Sequence, residues 1–326
     1  MTGPDKRFQP LPSEAVPRYA GIATFMRLPF YPLEEVEGAD IGLFGIPWDG
    51  GTTNRPGARH GPRQIRDQSA LMRKVHPVLG LSPFALANCA DLGDCPVNPL
   101  QIEETLDQIE QFTEQVIEKG MMPLAAGGDH LVSLPVLRAL AKKHGPMGMV
   151  HFDAHTDTWD RYFGGCKYTH GTPFRRAIEE GVLDPKRIVQ IGIRGGLYSE
   201  HDDDWGLEQG IRVMRVEEFY DLGVEKALEV AREVVGDGAT YLSFDVDCLD
   251  PVFAPGTGTP EIGGLTTHEV QRMVRGLRGL NLIGADLVEV SPPFDPSGAT
   301  ALVGATLMWE MLCLMSEKVS QQKEGL

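Results

Sequence analysis

An α/β fold built on a mostly parallel sheet is what this chain predicts, and three observations carry it. Short apolar runs recur from residue 40 onward, several of them apolar at nearly every position, and amphipathic stretches lie between them. Fully apolar runs suit strands covered on both faces, and strand alternating with helix implies right-handed crossovers and a parallel sheet. The runs are Ile41–Ile46, Phe84–Ala90, Met122–Ala126, Met147–Phe152, Ile188–Ile193, Ile211–Val216, Thr240–Phe244 and Leu282–Val288. Ile102, Leu106, Ile109, Phe112 and Val116 recur at spacings of three and four, the stripe of a surface helix. Val224, Leu228, Ala231 and Val235 repeat the pattern, and further helices are expected over Thr267–Leu277 and from about Thr300 to Glu317. No Ser/Gly linker, repeat or low-complexity tract divides the chain, so residues 1–326 read as one domain, with 1–38 as an N-terminal extension. About eight strands could close a barrel, but their spacing has no eightfold regularity.

Composition narrows the partners. At 42% hydrophobic and 23% charged the chain sits with ordinary globular proteins. A formal charge of -16 argues against nucleic acid; it could concentrate a cationic ligand or simply favour solubility. The opening MTGPDKRFQPLPSEAVPRYAG holds no apolar stretch that could serve as a signal peptide. The longest apolar stretches, such as Leu307–Leu314, are broken by charges such as Glu310 and fall short of a membrane span. Cys89, Cys95, Cys166, Cys248 and Cys313 form no CxxC pair and are odd in number, which suits reduced thiols. A cytoplasmic protein without membrane or nucleic-acid partners is expected.

Chemistry gathers where an α/β sheet binds ligands, just beyond the carboxyl ends of strands. The loops Gly50–Pro62, Trp159–Thr169 and Pro255–Gly264 are long and rich in Gly or Pro, as functional loops often are. The run Met147–Phe152 ends in Asp153-Ala-His155-Thr-Asp157, and Thr240–Phe244 ends in Asp245-Val-Asp247. Alternate residues of an extended chain share a face, so Asp153 can meet His155, and Asp245 can meet Asp247. Met122–Ala126 ends in Gly127-Gly128-Asp129-His130, where glycines permit a sharp turn. Four carboxylates and two imidazoles at three strand ends would be prohibitively unfavourable together without cations. Two divalent ions would neutralise them, and the mix suits manganese, nickel, iron or cobalt better than a thiolate-rich structural zinc.

GGDH (127–130), FDAHTD (152–157) and SFDVDCLDP (243–251) resemble the three metal-binding signatures of the ureohydrolase (arginase/agmatinase) family. GTGTPEIGGL (256–265), DLVEVSPPFD (286–295) and GGTTNRPGARHGPR (50–63) resemble it too, so the likeness runs from about residue 40 to 315. The resemblance implies a three-layer α-β-α fold around an open sheet of eight strands, and a trimer or hexamer. It implies two divalent ions, Mn²⁺ or Ni²⁺, one held by His130, Asp153, Asp157 and Asp245, the other by His155, Asp153, Asp245 and Asp247. A water held between two such cations becomes reactive near neutral pH and can attack a guanidinium carbon, releasing urea. Asp157 would hold and shuttle the nucleophile's proton. His170 matches the family's histidine that assists proton transfer, and Glu289 the carboxylate that pairs with the substrate guanidinium. His151 could touch the ligands, with packing the expected role; His60, His76, His144, His201 and His268 are expected to be solvent-facing or structural. A regulatory metal-binding subunit, or a one-zinc deacetylase of the same fold, fits less well because the whole ligand set is present.

Within the family the chain resembles the guanidino-acid hydrolases, 3-guanidinopropionase in particular, through Asp160-Arg-Tyr162-Phe-Gly and Arg73-Lys-Val-His76. Arg55, Arg59 or Arg161 could meet a substrate carboxylate or could brace the loops. Where family members commonly carry a small polar residue two places after Asp157, this chain has Trp159. Pointing inward beside Tyr162, that indole would leave room for little or no substrate tail; pointing outward, it would be an interface or packing residue. The inward reading puts free guanidine first and 3-guanidinopropionate second, with agmatine and 4-guanidinobutyrate behind.

Overall fold

The computed structural model describes residues 5–325. Eight strands form one sheet, every pair parallel, in the order β2-β1-β3-β8-β7-β4-β5-β6. In chain order they are β1 Ile41–Gly45, β2 Cys89–Asp94, β3 Met122–Ala126, β4 Met147–Phe152, β5 Leu183–Ile193, β6 Arg212–Arg215, β7 Thr240–Asp245 and β8 Leu282–Val288. The helices are α1 Gly61–Ser69, α2 Pro83–Leu86, α3 Ile102–Glu118, α4 Ser133–His144, α5 Pro173–Glu179, α6 Asp204–Gln209, α7 Val216–Val235, α8 Thr267–Gly276 and α9 Ala299–Glu324. Two apolar layers result. One packs Leu242, Phe244, Val150 and Phe152 under α7, α8 and α9; the other packs Tyr241, Met149 and Ile188 under α3, α4 and α5. The sheet is open, with β2 and β6 at its edges.

The run expected as a strand over Phe84–Ala90 divides differently. Ser82 precedes Pro83, and a proline pre-set for the first turn starts the short helix α2. The strand begins only at Cys89 and continues through Asp91 and Asp94, which pair with Arg66 on α1. β5 starts earlier than its apolar run, its first turn of chain being the polar Asp184-Pro-Lys-Arg187. Helix α7 starts eight residues before its apolar stripe and is interrupted at Gly223, which takes a left-handed φ of 73°.

Residues 5–38 do not trail from the body. Phe8, Phe25 and Met26 are buried, Phe30 bridges to Asp91 of the edge strand β2, and Tyr31 N donates to the Asp91 carbonyl at 3.0 Å. Helix α9, with 26 residues, is long and apolar enough by length and composition to cross a membrane, which the sequence reading did not anticipate. Its apolar window is 78% buried inside the molecule, and it packs on α1, α2, α8 and β8.

Candidate metal centre

The four strands at the middle of the sheet, β3, β8, β7 and β4, deliver the site from their carboxyl ends. His130 opens the turn after β3, Asp153 follows β4, Asp245 ends β7, and Glu289 follows β8. Strand alternation, invoked from the sequence, is not what joins Asp245 to Asp247. Asp247 stands on a 3₁₀ turn whose backbone N–H is bound by Asp245 Oδ1 at 2.7 Å. Asp153 Oδ1 likewise accepts from His155 N at 2.6 Å, so each carboxylate shapes the turn that carries its neighbour. Nor do the glycines before Asp129 make a left-handed turn, since neither has a positive φ. A Cβ on Gly128 would lie 1.6 Å from the Trp48 carbonyl oxygen, so the residue is needed for close passage of two chains. Asp157 and Glu289 adopt left-handed backbone angles, φ 52° and 65°, a conformation unfavourable for side-chain-bearing residues and concentrated at functional sites.

The first ligand set converges as expected. His130 Nδ1 lies 2.9 Å from Asp153 Oδ2, 2.9 Å from Asp157 Oδ2 and 3.3 Å from Asp245 Oδ2, all four side chains buried. Yet this nitrogen has no aligned hydrogen-bond partner. Oxygens ringed about a nitrogen without lying on its N–H axis match the donors of a coordinated cation, not a hydrogen-bonded cluster. Without a cation the three carboxylates, working against burial, draw a proton to the ring; a metal would take that proton's place. The second set is tighter at three members than at four. His155 Nδ1 lies 3.1 Å from Asp247 Oδ2 and 3.4 Å from Asp153 Oδ1, while Asp245 turns its Oδ1 to the Asp247 N–H. Asp153 faces both sets, one oxygen to each, as a bridging carboxylate would. Burial, then Asp247 and Asp153, push the Asp245 carboxyl well above the usual carboxylate range, whereas His151, His130 and His155 outweigh burial and hold Asp153 well below it. Paired divalent ions there would supply a nucleophilic water at neutral pH.

His151, expected mainly to pack, does more. It is fully buried, its Nε2 is 2.8 Å from Asp153 Oδ2, and Gln190 Nε2 lies 3.1 Å from its Nδ1. It therefore holds the shared carboxylate. The nearness of His151 to Asp153 in sequence was the available signal, since residues two apart on β4 share a face. His76 is structural, fully buried and 2.7 Å from Glu310 on α9; His60, His144, His201 and His268 are exposed. Cys248 lies on the turn beside Asp247 and is buried in the apolar core.

His170 and Glu289 meet. His170 Nδ1 is 2.8 Å from Glu289 Oε1, which also accepts from His130 N at 3.0 Å. Burial opposes charge on His170, but the Glu289 carboxylate outweighs it and raises the imidazole to about 9. Its Nε2 accepts from the Thr53 N–H at 3.1 Å and lies 2.7 Å from the Thr53 hydroxyl, which places the ring proton on Nδ1, toward Glu289. Glu289 Oε2 is buried without a partner, and a Cβ on Gly258 would stand only 3.4 Å from it. A planar cation could use that vacant acceptor.

His155, Asp157, His170, Asp245 and Asp247 open into a cavity of about 410 Å³. Trp159 lines it, tilted against Tyr162 at 5.4 Å and edge-on to Tyr198 at 5.2 Å. Of the three arginines considered, Arg55 lines it; Arg59 is tied to Asp49 and Arg161 to Asp160. Arg55 also braces the 255–264 loop, donating to Thr257 O at 2.7 Å, and stacks on Phe294. Thr53, Tyr198 and Glu261 line the cavity without having been singled out from the sequence; Thr53 and Glu261 lie in two of the three loops flagged for their length, whereas nothing local marks Tyr198.

The arginase family model matches residues 39–313. Guanidinopropionase of Pseudomonas aeruginosa is 62% identical over 96% of this chain and 98% of its own length. Guanidinobutyrase of the same organism is 49% identical over 94% and 96%. Among solved structures, proclavaminate amidinohydrolase of Streptomyces clavuligerus superposes with a TM-score of 0.88 at 42% identity, covering 92% of this chain and 99% of that one. Fold, match length and the clustered carboxylates and imidazoles agree: this chain belongs to the arginase family and is a hydrolase acting on guanidino carbon–nitrogen bonds.

Proposed function

We propose that the protein hydrolyses a short guanidino acid, 3-guanidinopropionate, to urea and β-alanine, using two divalent ions held by His130, Asp153, Asp157 and Asp245 and by His155, Asp153, Asp245 and Asp247. The carrying observation is the polarity of the cavity. Asp157, Asp245, Asp247 and Glu261 line it and Arg55 is the one arginine or lysine on its described wall; Glu289, with Oε2 unpartnered, lies against His170, which lines the cavity. A guanidinium at Glu289 and a carboxylate at Arg55 satisfy both ends, whereas the ammonium of agmatine would meet Arg55 as a like charge. Trp159, Tyr162 and Tyr198 narrow the space between, which favours a short tail over 4-guanidinobutyrate. The inward Trp159 favours free guanidine as the second reading. The ranking from Trp159 alone is reversed because 410 Å³ exceeds what a lone guanidinium fills and because the relative at 62% identity is named guanidinopropionase.

Urea release across a panel of guanidino compounds tests this. The highest kcat/KM is expected on 3-guanidinopropionate; highest efficiency on guanidine would favour the second reading, and on agmatine would discard both. Trp159→Asn should broaden tolerance toward longer tails. Metal analysis should give about two ions per chain. An assembly of three or six copies is proposed from the family resemblance, to be read by light scattering. The five free thiols suit the cytoplasmic location expected from composition.

A further inference from the structure

Asp286 on β8 is a buried carboxylate outside the candidate ligand set, and among the described residues no cation pairs with it. Three hydroxyl groups surround it. Oδ2 accepts from Ser133 Oγ at 2.6 Å and from Tyr241 OH at 2.8 Å, and Oδ1 accepts from Ser243 Oγ at 2.7 Å. Ser243 stands directly opposite Asp286 in the β7–β8 register, and its oxygen lies 2.9 Å from His130 Nε2. Isolated burial of an anion is costly, so an acceptor-only group kept here calls for a reason beyond packing.

A hydroxyl has one hydrogen. Ser243 commits that hydrogen to Asp286, so toward His130 it can only accept, and His130 Nε2 must be the nitrogen that carries a proton. The other nitrogen, Nδ1, is then left with a lone pair facing Asp153, Asp157 and Asp245, where it has three oxygen neighbours and no aligned hydrogen bond. We propose that Asp286 is a positioning residue which, through Ser243, fixes the proton of His130 on Nε2 and so presents Nδ1 to the metal. The proposal rests on the reading of His130 as a metal ligand. It also gives a reason for a carboxylate in an apolar layer beside Tyr241, since a neutral amide could not impose the same direction. Asn at 286 could donate to Ser243; the Ser243 hydrogen would then be free to point at His130 Nε2 and reverse the relay.

The test uses the full chain stripped of metal by chelation, as wild type, Asp286→Asn, Ser243→Ala and Tyr241→Phe. Binding of Mn²⁺ alone is measured by calorimetry, and ¹⁵N-histidine spectra with diamagnetic Cd²⁺ report which His130 nitrogen is metallated. The expected result is Nδ1 coordination in wild type and a loss of about 10–100-fold in affinity at one of two sites for Asp286→Asn and Ser243→Ala, the usual cost of removing a ligand's supporting partner. Tyr241→Phe removes a donor from Asp286 but leaves the relay, so its Mn²⁺ affinity should stay within about threefold of wild type even if its melting temperature falls. Wild-type affinity in Asp286→Asn with Nδ1 still metallated would overturn the relay alone. A wild type that takes up no Mn²⁺ through His130 would instead overturn the metal-centre reading and the relay with it.

Discussion

Asp245 is held where its charge is least favourable, buried beside Asp247 and Asp153 and pushed well above the usual carboxylate range. Asp245→Asn should therefore act in opposite directions with and without metal. Metal-free, the variant should melt higher than wild type by about 2 °C, the shift roughly 1 kcal/mol gives in a domain of this size; with Mn²⁺ present the order should invert and activity disappear. An equal melting temperature in chelator would show that the carboxylates do not repel as drawn. For His170 the sign follows from its rise to about 9. The unfolded histidine loses its proton near pH 6.5, the folded one only near 9, so the Glu289 pair stabilises fully below about 6.5 and progressively less up to 9. Thermal melts of the metal-free protein should show that decline and His170→Asn should lack it. In the loaded enzyme the same substitution should lower kcat about 10²–10⁴-fold with two ions retained. Arg55→Gln should raise KM for 3-guanidinopropionate about 10–100-fold, the value of a charge-assisted hydrogen bond, and leave free guanidine nearly untouched. These candidates were legible from residue type and motif; the left-handed φ of Asp157 and Glu289 has no local sequence mark, and the contact of Ser243 with His130 joins segments more than a hundred residues apart.

Helix α9 and the loop after α1 are joined by Glu310, which is buried, lies 2.7 Å from His76 Nε2 and receives Arg275 from α8 at 2.5 Å. His76 in turn accepts the N–H groups of Val78 and Leu79 at 3.1 Å and stacks on Trp309. Glu310→Ala would strip the partner from a largely buried arginine, a change that costs about 3–5 kcal/mol. A lowered urea midpoint with unchanged metal content is the expected result; an unchanged midpoint would deny the clamp its weight. At this scale sequence and structure agree wherever the apolar period was clean. Met122–Ala126, Met147–Phe152 and Leu282–Val288 coincide with β3, β4 and β8 to the residue. The misses fall where a proline starts an element early or polar residues sit inside one. β2 hides because Asp91 and Asp94 are satisfied by Arg66, and α9 outran its expected end because its polar last turns need no apolar period.

For the whole molecule, a cation pair at the middle of the sheet should raise the melting temperature with free Mn²⁺ concentration by mass action, about 2.7 kcal/mol at a hundredfold excess over Kd. Melting temperatures flat across a Mn²⁺ titration would remove the centre from the stability of the fold. Strand order carries one more consequence. β8, the last strand of the chain, inserts between β3 and β7 and so joins, within the sheet, the group β2-β1-β3 to the group β7-β4-β5-β6. His130 hangs from the first group, and Asp153, Asp157, Asp245 and Asp247 from the second. The imidazole and the acids therefore face one another only where β8 is seated between the two groups.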